Sequence, residues 1–166
     1  MLDLDNTTFR PSHDDHASDQ WFSAAVEHIQ KNHKIELYQA IDLVVPEYLE
    51  IQKTACMQPV EQNIVELISK FQKDKIQVIA LTARSLPLID TTLKQLKSIN
   101  IDFAVNCLAE NKELEFTDLE HQCKYKNGVL FVSNNNKGTA LMRFLKEINY
   151  TPEKIICVDD KLKHVQ

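Results

Sequence analysis

Short, nearly continuous apolar runs fall at 76–81 (IQVIAL), 128–133 (GVLFVS) and 154–158 (KIICV). Runs of that length, rich in Val and Ile, predict buried strands. Alternation of Ile101, Phe103 and Val105 predicts a fourth strand, and Met1–Leu4 reads as the stub of a first. Between them, apolar positions recur at helical spacing. Val60, Ile64, Leu67, Ile68 and Phe71 share one helix face, with Pro59 in its first turn. Leu88, Ile89, Leu93 and Leu96 mark a second helix, opened by Pro87. Ala140, Leu141, Phe144, Leu145 and Ile148 mark a third, starting near Lys137. Strands alternating with helices predict βαβ units and a mostly parallel sheet.

Two segments depart from that rhythm. Residues 18–52 read as helices without a strand. Ser18 suits the cap of a helix carrying Phe22, Ala25, Val26 and Ile29, and a second helical stretch from about Leu37 is interrupted at Pro46. This predicts a small helical cap inserted at about 9–56 of a single domain spanning 1–166. Asn127-Gly128, between 121–126 and Val129–Ser133, predicts a β-hairpin. Both ends read as truncated, because Met1-Leu2 is a short run-up and the chain stops soon after Asp159-Asp160.

The chain has 166 residues, enough for one domain with a real core. Its net charge of −5 and the lack of any Lys/Arg block argue against a nucleic-acid partner. No apolar run approaches the roughly 18 residues of a membrane span, so membrane insertion is not expected. The only glycines are Gly128 and Gly138, which excludes both GxGxxG and GxxxxGK[ST] phosphate loops. Cys56, Cys107, Cys123 and Cys157 form no CxxC, and His28 and His33 do not match HExxH. Any phosphate chemistry must rest on side chains and a metal.

Four polar signals sit at or just beyond predicted strand ends. Asp3 and Asp5 follow Met1-Leu2, Thr82 follows IQVIAL, Lys137 opens a helix after GVLFVS, and Asp159-Asp160 follow KIICV. Ligands of open α/β sheets bind beyond the carboxyl ends of the strands, so the four should converge. Packed carboxylates repel by roughly 4 kcal/mol per pair at about 4 Å and an effective dielectric of 20. A divalent cation removes the conflict, and oxygen-only ligands favour Mg²⁺.

In this order, the signals resemble the motifs of the haloacid dehalogenase-like (HAD) superfamily of phosphotransferases. They are Asp3-Leu4-Asp5-Asn6-Thr7, Thr82 in Ala80-Leu81-Thr82-Ala83-Arg84, Lys137-Gly138, and Val158-Asp159-Asp160. The resemblance implies an HAD-like Rossmannoid three-layer α/β sandwich. The insert, with Trp21 in it, is similar in layout to that of class B and C acid phosphatases. The resemblance further implies a Mg²⁺-dependent phosphomonoester hydrolase acting through an aspartyl phosphate. Asp3 would be the nucleophile. Asp5 would be the general acid and base. Thr82, with Ala83, and Lys137 would bind the phosphoryl group. Asp3, the Asp5 backbone carbonyl and Asp159 would hold the metal, with Asp160 beside them. An acid at position 5 points to phosphatase or phosphotransferase chemistry rather than dehalogenation.

Other readings compete. A catalytically inactive module of the same kind would bind a phosphorylated ligand or a protein partner. A response-regulator receiver shares these residue types, but there the acidic pair comes first rather than last. His13-Asp14-Asp15-His16 offers a second metal hypothesis, and Phe9 and Trp21 could stack on a substrate ring. Asn6-Thr7-Thr8 matches a glycosylation sequon, but modification there would obstruct the site. No motif encodes the substrate, the compartment (cytoplasmic or exported) or the oligomeric state.

Overall fold

A computed structural model describes residues 1–13, 15–109 and 113–162. Its elements are β1 (Phe9–Pro11), α1 (Asp19–His33), α2 (Leu37–Thr54), β2 (Met57–Pro59), α3 (Ile64–Lys73), β3 (Ala80–Thr82), α4 (Ile89–Ser98), β4 (Leu114–Phe116), β5 (Cys123–Lys126), β6 (Val129–Phe131) and α5 (Lys137–Glu147). The fold is mixed α/β around a small mixed sheet of order β3-β6-β5-β4. Only β3 and β6 pair in parallel; the β6–β5 and β5–β4 pairs are antiparallel. The mostly parallel sheet expected from the strand–helix alternation is corrected accordingly. Parallel character continues through single-residue bridges of Leu2 to Ala80 on one side and to Val158 on the other.

Side chains alternate across the sheet, and this builds a core on each face. Ala80, Val129 and Phe131 join Leu4, Phe9, Ile68 and Leu96 on one face. Ile79, Leu81, Leu130 and Val132 join Tyr125, Leu141 and Phe144 on the other. A third, smaller cluster of Val26, Ala40 and Val44 lies between α1 and α2.

The helices follow the apolar period closely. Ser18 caps α1, accepting from the Trp21 N–H, and α5 begins at Lys137 behind the Asn136 cap. Two helical details differ from expectation. Pro46 lies inside α2 without ending it, because the faces on both sides of it are held against α1 and the rest of the chain. Pro59 does not open α3 but closes β2, where it pairs with Phe9.

Of the predicted strands, one is absent and one is partial. Residues 103–106 form a 3₁₀ turn, in which Asp102 accepts the Ala104 N–H and Val105 faces solvent. The 154–158 run is only partly a strand: Val158 bridges Leu2, with the Met1 amine donating to the Ile156 carbonyl and the Val158 N–H to the Met1 carbonyl, while Ile155, Ile156 and Val158 stay exposed. The short strands β1, β2 and β4 carried no recognisable pattern.

The Asn-Gly hairpin is present as β5–β6. Asn127 and Gly128 both have positive φ, 49° and 78°. A Cβ on Gly128 would lie 2.2 Å from the Phe103 carbonyl oxygen, a backbone atom that cannot swing away. Gly128→Ala should therefore cost about 2–3 kcal/mol, read as a lower urea midpoint at an unchanged slope. A variant as stable as the parent would show that this turn tolerates a side chain.

Candidate functional site

The Leu2 bridges set the next residue, Asp3, at a strand end, where its N–H donates to the Val158 carbonyl at 2.9 Å. The Thr8 hydroxyl donates to the Asp3 carbonyl at 2.6 Å and folds the following turn back. After β6 the chain passes through Ser133 and Asn134, both at positive φ, a conformation non-glycine residues rarely adopt. Asn135 braces that strained loop by donating to the carbonyls of His121 and Val132. This bracing delivers Lys137 to the site from the first turn of α5.

Lys137 is the centre of the cluster. Its ammonium donates to Asp3 Oδ1 at 2.5 Å and to Asp159 Oδ2 at 2.6 Å, and it is only 6% exposed. Carboxylate oxygens of Asp3, Asp159 and Asp160 all lie within 4.8 Å of one another. Burial pushes the Asp3 carboxyl up to about 6; Lys137 opposes the shift, and Asp159 and Asp5 add to it. Burial also raises Asp160, against the pull of Lys161.

Asp5 stands outside this carboxylate group. Both of its oxygens accept from the Arg84 guanidinium, at 2.7 Å from Nη2 and 2.9 Å from Nε. Arg84 is almost wholly buried. Burial works against its charge, but the bonds to Asp5 outweigh that and raise its pKa. Its remaining donor reaches Thr92 and Gln95, and its plane lies over the Phe9 ring. Gln95 continues to the Gln52 carbonyl and Gln52 to the Ala17 carbonyl, tying the sheet edge to the helical insert.

Thr82 is fully buried, and its hydroxyl oxygen accepts the Arg84 N–H at 3.2 Å. It does not line the cavity described below, although Ala83 does. His16 lies 5.6 Å from the Trp21 ring, and neither His13 nor His16 belongs to a metal-type cluster among the described residues. Asp14 of that stretch lies outside them.

A cavity of about 360 Å³ opens between the acidic edge and the insert. Asp3, Asp5, Asn134 and Lys137 face Phe22, Val45, Tyr48 and Leu49 across it. Asp19 and Lys161 pair at 2.5 Å in its wall, and Asn6 donates to Asp19 at 2.8 Å. Among the described residues, five carboxylates, at 3, 5, 19, 159 and 160, lie around three cations, Arg84, Lys137 and Lys161. The described groups therefore carry a formal negative excess. Oxygen donors on Asp3, Asp159 and Asp160 are of the kind that would suit a hard divalent cation such as Mg²⁺.

A pH dependence follows from Asp3. A carboxyl raised from its ordinary 3.8 to about 6 holds its proton more tightly folded than unfolded. Its contribution to stability is fully present below about pH 4 and is lost as pH rises through about 6. Ionised, the buried group costs up to about 3 kcal/mol. In EDTA, Asp3→Asn should gain on the parent by that order between pH 4 and pH 7 in urea titrations. A pH-independent difference would mean that Asp3 titrates normally.

The sequence pattern gave no site role to Arg84, Asp19, Lys161, Tyr48 or Phe22. Arg84 alone had a signal, two residues beyond Thr82 at the end of a strand.

The family model described as "Protein of unknown function (DUF2608)" matches residues 1–166. Three curated relatives are each described as "Putative outer membrane protein". They come from Chlamydia trachomatis serovar D (30% identical), Chlamydia pneumoniae (32%) and Chlamydia muridarum (30%). Each match covers 99% of this chain and 60% of the relative, so the chain spans about three fifths of their length. No solved structure matches. The HAD and acid-phosphatase resemblance read from the motifs is corrected by these findings. The matching family is DUF2608, and none of the three relatives is described as an HAD protein or a phosphatase. Short acidic, threonine and lysine motifs specify a ligand environment, and such environments recur on unrelated chains.

Proposed function

Starting from a chain that belongs to the DUF2608 family, we propose that it is a Mg²⁺-dependent phosphomonoester hydrolase acting through an aspartyl phosphate. The observation that carries this reading is the buried Asp3–Lys137–Asp159 cluster, of which Asp3 and Lys137 line the cavity. The parallel contacts of Leu2 with Ala80 and Val158 support a layered α/β sandwich whose strands end at this cavity.

Asp3, Asp159 and Asp160 would hold the ion, which when bound neutralises the phosphoryl oxygens. The chain supplies the remaining steps. An Asp3 carboxylate oxygen attacks phosphorus, the P–O bond to the alcohol breaks, and the leaving oxygen takes a proton. Water then attacks phosphorus, the bond to Asp3 breaks, and the water gives up a proton. In this reading Asp5 carries both protons. To do so it must release one oxygen from Arg84. Lys137 offsets the charge that builds on the phosphoryl group and on Asp3. Thr82 shapes the turn that presents Ala83, and the Ala83 segment contacts the phosphoryl oxygens.

The relatives' printed name supports an exported location. Among the described residues, no helix is long and apolar enough to cross a membrane.

The test is phosphate release from a panel of monoesters in Mg²⁺ and in EDTA. Release that requires Mg²⁺ supports the reading. Uptake of Mg²⁺ and phosphate without turnover would identify a non-catalytic binding module instead. No uptake of Mg²⁺ would remove the basis of the proposal.

A further inference from the structure

Helix α2 carries two apolar stripes. Ala40 and Val44 are buried against α1. Val45, Tyr48 and Leu49, adjacent on the helix surface, belong to none of the three core clusters and turn instead toward the cavity. Tyr48 is set in place by rings of α1: it stacks on Trp21 at 6.4 Å and 14°, and meets Phe22 at 5.0 Å. Leu88 adds a further apolar group to the lining. The cavity therefore has an ionic wall at Asp3, Asp5 and Lys137 and an apolar α2 wall of Val45, Tyr48 and Leu49.

Its charges are already committed. Arg84 is clamped to Asp5, Lys161 to Asp19, and Lys137 to Asp3 and Asp159. Among the described residues of the apolar wall, no cation remains for a second phosphate or a carboxylate. The hydroxyls of Ser23, Ser85 and Tyr48 are too few to replace the hydration of a sugar. A volume of about 360 Å³ is near the lower end of small-molecule sites. It suits one phosphoryl group and one ring-sized substituent.

Resting on the hydrolase reading above, we infer that the substrate is the phosphomonoester of a small apolar alcohol, aryl or branched alkyl, whose apolar part lies against Val45, Tyr48 and Leu49. Apolar pockets of this kind discriminate by about 10–200-fold for each group they bury.

The test compares kcat/KM for phenyl phosphate, isobutyl phosphate, glycerol 3-phosphate and glucose 6-phosphate in Mg²⁺. Both apolar esters should exceed both polar ones by tenfold or more. Val45→Asn and Leu49→Asn, at half-buried positions outside the core, should each reduce that ratio at least fivefold. Phosphate released with a ratio near one, or a ratio unchanged in both variants, overturns the inference while leaving the hydrolase reading intact. If no ester is cleaved the hydrolase reading fails, and calorimetry still decides the pocket. Benzylphosphonate binding tenfold tighter than inorganic phosphate supports the apolar site, and equal affinities overturn it.

Discussion

Asp3→Asn should reduce Mg²⁺-dependent phosphate release by at least about 10³-fold, since removing a covalent nucleophile leaves only the catalysis of its surroundings. The substitution keeps the shape of the side chain. Asparagine can still accept from Lys137 through its amide oxygen, so the 2.5 Å contact has a neutral replacement. Loss of activity with an intact fold therefore reports chemistry rather than collapse. Acid quench of the parent with ³²P-labelled substrate should trap label on protein, and the variant should trap none. A variant that retains its turnover would show that another group attacks phosphorus.

The second large effect concerns stability. Lys137→Met should destabilise the metal-free protein by about 3–5 kcal/mol, the usual result of stripping one partner from a buried ion pair. Two carboxylates lose their shared cation at once: Asp3, buried, and Asp159, whose side chain is 5% exposed. Methionine fills the volume, so packing contributes little to the loss. The melting temperature should fall by roughly 10 °C. Added Mg²⁺ should return part of that loss, because the ion can serve the same oxygens. A loss below about 1 kcal/mol would mean that Asp3 and Asp159 do not share this lysine in solution.

What the chain's pattern disclosed depended on how local the determinant was. α1, α3, α4 and α5 were legible because a period of 3.6 needs only neighbours in sequence. The Asn127-Gly128 turn was legible because positive φ is a property of two residues. The alternation at 101–105 misled, since the side chain of Asp102 captures the Ala104 N–H and bends the chain out of a ladder. The 154–158 run misled for another reason. Its composition suits a buried strand, but among the described residues only Val158 finds a bridge partner, Leu2.

The site divides in the same way. Asp3, Lys137, Asp159 and Asp160 could be placed together because each lies at or just beyond an apolar run, and strand ends gather on one edge. The clamp of Arg84 on Asp5 joins residues 79 positions apart, and that of Lys161 on Asp19 joins residues 142 apart. No periodicity encodes such pairs. The family expectation failed because the motifs describe a charge arrangement, whereas family membership rests on the whole chain.

The ribbon of β1 and β2 sets Pro11 directly opposite Met57, so both connections to the two-helix segment pass through one narrow neck. Because that segment's two ends are pinned side by side, residues added or removed at the far turn between α1 and α2 would leave the strand ends that carry Asp3 and Asp159 where they are.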